Sequence, residues 1–173
     1  QVILADLLSV NAVADFFENF ELFSQPEMHL NVAIIEQPGI EEQAAYLWGV
    51  EPLTITPLQM ALAASSITNI GIRPGPRIVK AYLSHSGAWE TIPKLSISKE
   101  VLSPGSATEV SNVLQVAGES YWKGSALLES SDEKLISWWV AGTTSAWPGQ
   151  PITVVVLLES ADQAKAEEIG ISL

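Results

Sequence analysis

The stretch "LTITPLQMALAASSITNIG", Leu53 to Gly71, decides the fold. Thr56 can cap a helix, Pro57 takes the first helical position, and Gln59 falls three residues after the cap. That combination satisfies backbone donors left free at a helix start. Gly71, after Asn69, supplies a left-handed exit. Between these ends, Leu58, Met60, Ala61, Leu62, Ala63, Ala64 and Ile67 leave no polar face. A helix apolar all round is buried on every side, so this one is expected to be a central pillar.

On the N-terminal side, residues 3–22 carry Leu4, Leu7, Leu8, Phe16, Phe17 and Phe20 at helical spacings, which predicts an amphipathic helix docked on the core. Residues 24–52 are irregular, broken by Pro26, Pro38, Gly39 and Pro52, with "EEQAAYLW" as a possible short helix. On the C-terminal side, "IRPGPRIVKAYLS" leads into a strand ending near Ser84, and "HSGAW" turns into a second short strand. A helix is expected from about Ala107 to Ala117.

The tail is predicted to be an antiparallel meander. "SYWKGSAL", "LISWWVAG" and "PITVVVLLES" are rich in β-branched and aromatic residues and are joined by short turns. "VVVLL" is apolar on both faces, which predicts a central strand covered on both sides. The final helix, "ADQAKAEEIGISL", is expected to lay Ala164, Ile169 and Leu173 on the sheet. The fold class is α+β: helices first, then an antiparallel sheet of three or more strands covered by a C-terminal helix.

Composition narrows the function. Of 173 residues, 47% are hydrophobic and 16% charged, which suits one folded domain with a core. Eight basic against twenty acidic side chains give a net charge of −12, which repels phosphate backbones and excludes nucleic acid as a natural partner. Cysteine is absent, so thiolate chemistry and disulfides are too. No apolar run reaches the roughly 18–20 residues that span a bilayer. The chain begins without Met, and "QVILADLLSV" lacks a basic leader, so it reads as a piece of a longer protein.

The segment "WGVEPLTITPLQMALAASSITNIGIRPGPRIVKAYL" resembles the region after the middle of penicillin-binding protein transpeptidase domains. Thr56-Pro57-Leu58-Gln59-Met60-Ala61 matches the family's helix start, Asn69-Ile70-Gly71 its glycine exit, and Pro74 or Pro76 the proline that follows. The family's preceding glycine-rich turn is eroded, because Gly49 is followed by Val50 and Glu51. "SWWVAGTTSAWPGQPITVVVLLES" resembles the last two sheet strands, and "VADFFENFEL" a helix before the active-site loop. The resemblance implies one domain over residues 1–173, the C-terminal portion of a serine β-lactamase or penicillin-binding protein type of fold. It further implies a cell-envelope, extracytoplasmic setting, a membrane-anchored parent, and a peptidoglycan stem peptide or an envelope protein as partner.

The family's acyl transfer needs a helical Ser-x-x-Lys, a Ser-x-Asn loop and a Lys-Thr-Gly strand that holds the substrate carboxylate. Ser-x-x-Lys occurs at Ser96/Lys99, Ser120/Lys123 and Ser131/Lys134, but none opens an amphipathic helix. With 19 Ser and 6 Lys, about 0.7 matches arise by chance, so no catalytic residue is assigned. Ser9-Val10-Asn11 reads as helix surface. The Lys-Thr-Gly strand has two placements. In the preferred one Lys123, Gly124 and Ser125 form a degenerate clamp; in the other, Thr143-Thr144-Ser145 replaces the motif and the cation is lost. Trp122, Trp147 and one of Trp138/Trp139 are candidates for an aromatic groove beside Lys123, although core positions are the commoner fate of tryptophan. His29 and His85 have no metal-ligand spacing, and no metal or other cofactor is expected. Two functions remain: the C-terminal part of a transpeptidase without complete catalytic machinery, or an inactive relative serving as a scaffold or peptide-binding module.

Overall fold

The computed structural model describes residues 9–28, 55–129 and 133–173. The eroded glycine turn, the "EEQAAYLW" segment, His29, Ser131 and residues 3–8 of the expected N-terminal helix lie outside them. The elements in order are α1 (Val10–Asn19), α2 (Pro57–Thr68), β1 (Ile72–Arg73), β2 (Ala81–Leu83) and β3 (Trp89–Thr91). They continue with β4 (Lys99–Glu100), α3 (Pro104–Leu114), β5 (Tyr121–Glu129), β6 (Leu135–Thr143), β7 (Thr153–Leu158) and α4 (Gln163–Ile171).

The capping chemistry of the opening stretch is realised in full. Thr56 Oγ1 accepts from Gln59 N at 3.2 Å, and Thr56 N donates to Gln59 Oε1 at 2.9 Å. Gln59 does more than cap: its buried Nε2 donates to Leu22 O at 2.7 Å and Ser24 O at 3.1 Å, fastening α2 to the chain leaving α1. Burial runs around α2, but it includes polar side chains. Ser65 and Ser66 bond back to Leu62 O and Ala63 O, so their hydroxyls cost little to enclose. At the exit both Ile70 (φ 53°) and Gly71 (φ 95°) are left-handed. Gly71 suits this backbone; the β-branched Ile70 is strained there. A Cβ on Gly71 would also strike Leu102 O, so the chain needs glycine twice over at that position.

On α1 the apolar spacing works as expected at Phe17 and Phe20, whereas Phe16 is 47% exposed. Phe17, Phe20, Leu22 and Phe23 form a buried cluster against Ile55, Ala63, Val101 and Leu102. Ser9 caps this helix by accepting from Ala12 N at 3.2 Å.

The C-terminal sheet is the expected meander, in the order β5-β6-β7, all antiparallel. Its central strand is β6, not the valine-rich β7, which corrects the sequence reading. β7 is nevertheless packed by α2 on one face and α4 on the other, and that two-sided cover accounts for its unbroken apolar run. α4 also docks differently from expectation. Ala166 and Gly170 face the sheet, Ile169 is half-buried, and Ala164 and Leu173 are exposed. A Cβ on Gly170 would collide with the Trp139 ring, so glycine sets how closely the helix lies on the sheet. Before the sheet, α3 runs about three residues earlier than predicted, started by the Ser103 cap and Pro104. The expected pair of short strands is the β2–β3 hairpin, and β4 pairs with β1.

Candidate functional site

The side chains of β5 alternate between two environments. Tyr121, Lys123 and Ser125 share the α4 face with Ala141 and Trp139 of β6, their register partners being Thr143, Ala141 and Trp139. Trp122, Gly124, Ala126 and Leu128 share the opposite face with Gly142, Val140, Trp138 and Ile136. That face looks toward α2 and α3.

Lys123 therefore sits beneath the C-terminal helix. Its Nζ donates to Glu167 Oε1 at 2.5 Å, with both side chains about one-third exposed. The hydrogen bond to Glu167 holds the ammonium above the ordinary lysine value, against a weaker opposing push from burial. Gly124, the middle position of the preferred clamp placement, has open space where a Cβ would stand. Ser125 is exposed.

The aromatic groove expected beside Lys123 does not form. Trp122 and Trp139 are each 2% exposed and Trp138 is 7% exposed. Trp122 lies on the face opposite Lys123, and both faces of β6 are covered, so both of its tryptophans are core. Trp147 is partly exposed, in the turn after β6. The second placement of the clamp, Thr143-Thr144-Ser145, falls at the end of β6 and in the following turn. Both edges of β6 are hydrogen-bonded, to β5 and β7. By contrast, from Lys123 onward the outer edge of β5 has no strand partner among the described residues.

The two Ser-x-x-Lys matches that lie wholly among the described residues, Ser96/Lys99 and Ser120/Lys123, are not helical. Ser96 precedes β4, which carries Lys99; Ser120 precedes β5, which carries Lys123; Lys134 stands just before β6. Ser9 is a helix cap and Asn11 is exposed on the first turn. Among the described residues no three His, Asp or Glu side chains gather as a metal site, and no helix is long and apolar enough to cross a membrane.

Two features went unforeseen in the sequence. The first is Arg73, 2% exposed, whose Nη1 meets Glu21 Oε2 at 2.8 Å. Burial lowers its pKa and Glu21 partly restores it. The pair ties the chain leaving α1 to the strand leaving α2, and nothing in the residue spacing marks it. The second is an apolar groove of about 560 Å³ between α1, α2, α3 and the far end of β5, which no described element covers. Its walls include Phe16, Met60, Val110, Ala126 and Leu128. The even-numbered alternation along β5 could have located its floor, but its walls depend on helices far away in sequence.

With this geometry in view, the chain can be compared with known proteins. A family model described as "Penicillin binding protein transpeptidase domain" matches residues 31–171. No curated protein sequence matches. Penicillin-binding protein A from M. tuberculosis, solved as an imipenem acyl-enzyme complex, is similar with a TM-score of 0.74 at 22% identity, over 92% of this chain and 40% of that one. The D,D-transpeptidase domain of a peptidoglycan glycosyltransferase from Eggerthella lenta gives 0.74 at 14% identity, over 98% and 50%. A peptidoglycan synthetase from Bifidobacterium adolescentis gives 0.67 at 19%, over 99% and 36%. The chain thus spans between about a third and half the length of these structures.

Proposed function

This chain belongs to the penicillin-binding protein transpeptidase domain family, and on that premise we propose that residues 1–173 are the C-terminal portion of such a domain in a cell-wall enzyme. Its parent works outside the cytoplasmic membrane, to which it is anchored, and acts on peptidoglycan stem peptides. This portion supplies the sheet against which substrate lies. The serine nucleophile and its lysine come from the rest of the domain, since neither Ser96/Lys99 nor Ser120/Lys123 lies on a helix, the setting that would put i and i+3 on one face.

The observation that carries this reading is the outer edge of β5, unpaired from Lys123 onward among the described residues, with Lys123-Gly124-Ser125 along it. An extended peptide can add to such an edge through main-chain hydrogen bonds. β6 offers none, having both edges paired, which favours the first clamp placement over the second.

The test is labelling of the full-length parent with a fluorescent penicillin, followed by mass mapping of the adduct. An acyl-serine outside residues 1–173 is the expected result. An adduct on a serine within them overturns the division of labour proposed here.

A second reading has its own observation. Lys123 is tied to Glu167 under α4, Gly124 lacks the hydroxyl of the family motif, and Ser125 puts a side chain where the motif has glycine. A clamp so altered suits a module that kept the fold and binds a peptide or an envelope protein without acylating. Absence of any penicillin adduct on the parent, restored by Gly124→Thr with Ser125→Gly, selects this second reading. The open space around Gly124 leaves room for the threonine.

A further inference from the structure

The β2–β3 hairpin is the basic part of an acidic protein. Residues 77–97, all of them described, hold Arg77, Lys80 and Lys94 against Glu90 alone, a net charge of +2. The rest of the chain, with five basic and nineteen acidic side chains, carries −14. The same segment contributes seven of the nineteen large hydrophobic side chains that stand exposed among the described residues, well above its share of the length. Trp89 is 73% exposed and Leu83 57%. No residue of either strand is buried, and β2 and β3 pack chiefly on each other.

What holds so exposed a hairpin together also sorts its charges. Arg77 Nε donates to Val79 O at 3.1 Å, and its Nη2 donates to Lys80 O at 2.7 Å and to Ile92 O, tying the two legs at the root. These acceptors are neutral, so the guanidinium is oriented without losing its charge. Glu90, the one carboxylate of the segment, accepts from Tyr82 Oη at 2.6 Å. Tyr82 stands opposite Glu90 and Leu83 opposite Trp89, so alternation puts the two pairs on opposite faces. One face of the strands therefore carries Leu83 and Trp89 and no charge, while the carboxylate is turned to the other. Lys80 and Lys94, both exposed, stand at the root.

We propose that the Leu83–Trp89 face of the hairpin lies on an anionic lipid surface, with Lys80 and Lys94 among its phosphates. The mixture of side chains fits a membrane. An indole settles at the level of the lipid headgroups, and a lysine stem runs along apolar surface to set its ammonium in the polar layer. Exposed apolar area together with a few cations is the combination that holds peripheral segments on anionic membranes. The chain's net charge of −12 does not prevent this. Exposed charges farther off than a Debye length, about 8 Å at physiological ionic strength, are largely screened, so the lysines at the contact decide. The inference rests on the function proposed above for its setting only, the outer face of the cytoplasmic membrane, where it adds a contact to the parent's anchor.

The test is co-sedimentation of the 173-residue chain with phosphatidylglycerol vesicles and with phosphatidylcholine vesicles. Binding to the anionic vesicles is expected to be about tenfold tighter or more, and Lys80→Gln with Lys94→Gln removes most of that preference. Leu83→Ser with Trp89→Ser weakens binding to the anionic vesicles by about tenfold or more. Both side chains are exposed enough for serine to leave the fold intact. Val113→Ser, at a side chain 83% exposed on α3, leaves binding unchanged. Failure of the unmodified chain to bind phosphatidylglycerol vesicles overturns the proposal. So does an equal loss from Val113→Ser and from the Leu83/Trp89 pair, which marks general stickiness. A chain that ignores vesicles but self-associates until the two lysines are replaced also overturns it, and assigns the hairpin to the acidic surface of a second copy. Penicillin labelling of the parent is read separately. A labelled parent whose chain ignores vesicles loses this inference alone; vesicle binding with an unlabelled parent keeps the contact and loses the activity.

Discussion

The two faces of the β5–β6–β7 sheet are built from the same strands and differ in how they are closed. On one, Trp139, Ala141 and Val156 pack against Ala166 of α4, with Gly170 admitting the Trp139 ring. On the other, α2 reaches its own close contact at Gly142, where a Cβ would meet Thr68 Oγ1 and lie 2.7 Å from the Trp122 ring, and the remainder stays open. The strand sequence alone does not distinguish these faces, because both carry tryptophans and aliphatics. What differs, among the described residues, is whether a neighbouring helix is there to cover them.

The strongest way to break the comparison is to truncate one residue on each face. Trp139→Ala is expected to cost about 3–5 kcal/mol, since the removed ring leaves a cavity that α4 cannot refill. Leu128→Ala, in the open groove, should cost less than about 1 kcal/mol in the isolated chain. Urea denaturation of the two variants measures both, and equal losses would show that the groove is as closed as the α4 face.

A smaller effect, of opposite sign, tests the pillar that walls the open face. Ile70 holds a left-handed backbone with a β-branched, half-exposed side chain. Ile70→Gly relieves that strain and is expected to stabilise by about 1 kcal/mol, after the entropy cost of glycine is deducted. A lowered thermal midpoint would contradict the strain assigned here.

The smallest effect belongs to the Lys123–Glu167 pair at the margin of the closed face. Partial exposure limits it to a few tenths of a kcal/mol. Because folding raises the lysine pKa, the contribution is complete below the ordinary value of 10.5 and is lost as pH rises through the higher folded value. Lys123→Met should therefore differ from the unmodified chain at about pH 8 and converge with it once the pH has passed the raised folded value. A difference unchanged across that range would mean that packing of the lysine stem, not its charge, is what Glu167 secures.

Local chemistry made much of this legible beforehand. The Thr56–Gln59 capping box, the Pro57 start, the Gly71 exit and the three-strand meander are each set by residues within a few positions of one another, so the sequence displays them directly. The family pattern over Thr56–Ala61 was likewise readable as it stood. Other features were not, because their partners are distant in the chain. Gln59 reaching Leu22 and Ser24, Arg73 meeting Glu21, and Lys123 turning toward Glu167 all join separate elements. The aromatic groove beside Lys123 failed for the same reason. Alternation put Trp122 and Lys123 on opposite faces, but only the placement of α3 and α4 decided that both faces there are covered.

By itself, then, the sequence determined which segments become helices and strands and where most of them stop, through caps, breakers and apolar periodicity. The tertiary structure decided which strand is central, which face of β5 the lysine occupies and where apolar surface remains open. Those outcomes depend on the stacking of layers, a property of how whole elements fit together that no single stretch of residues encodes.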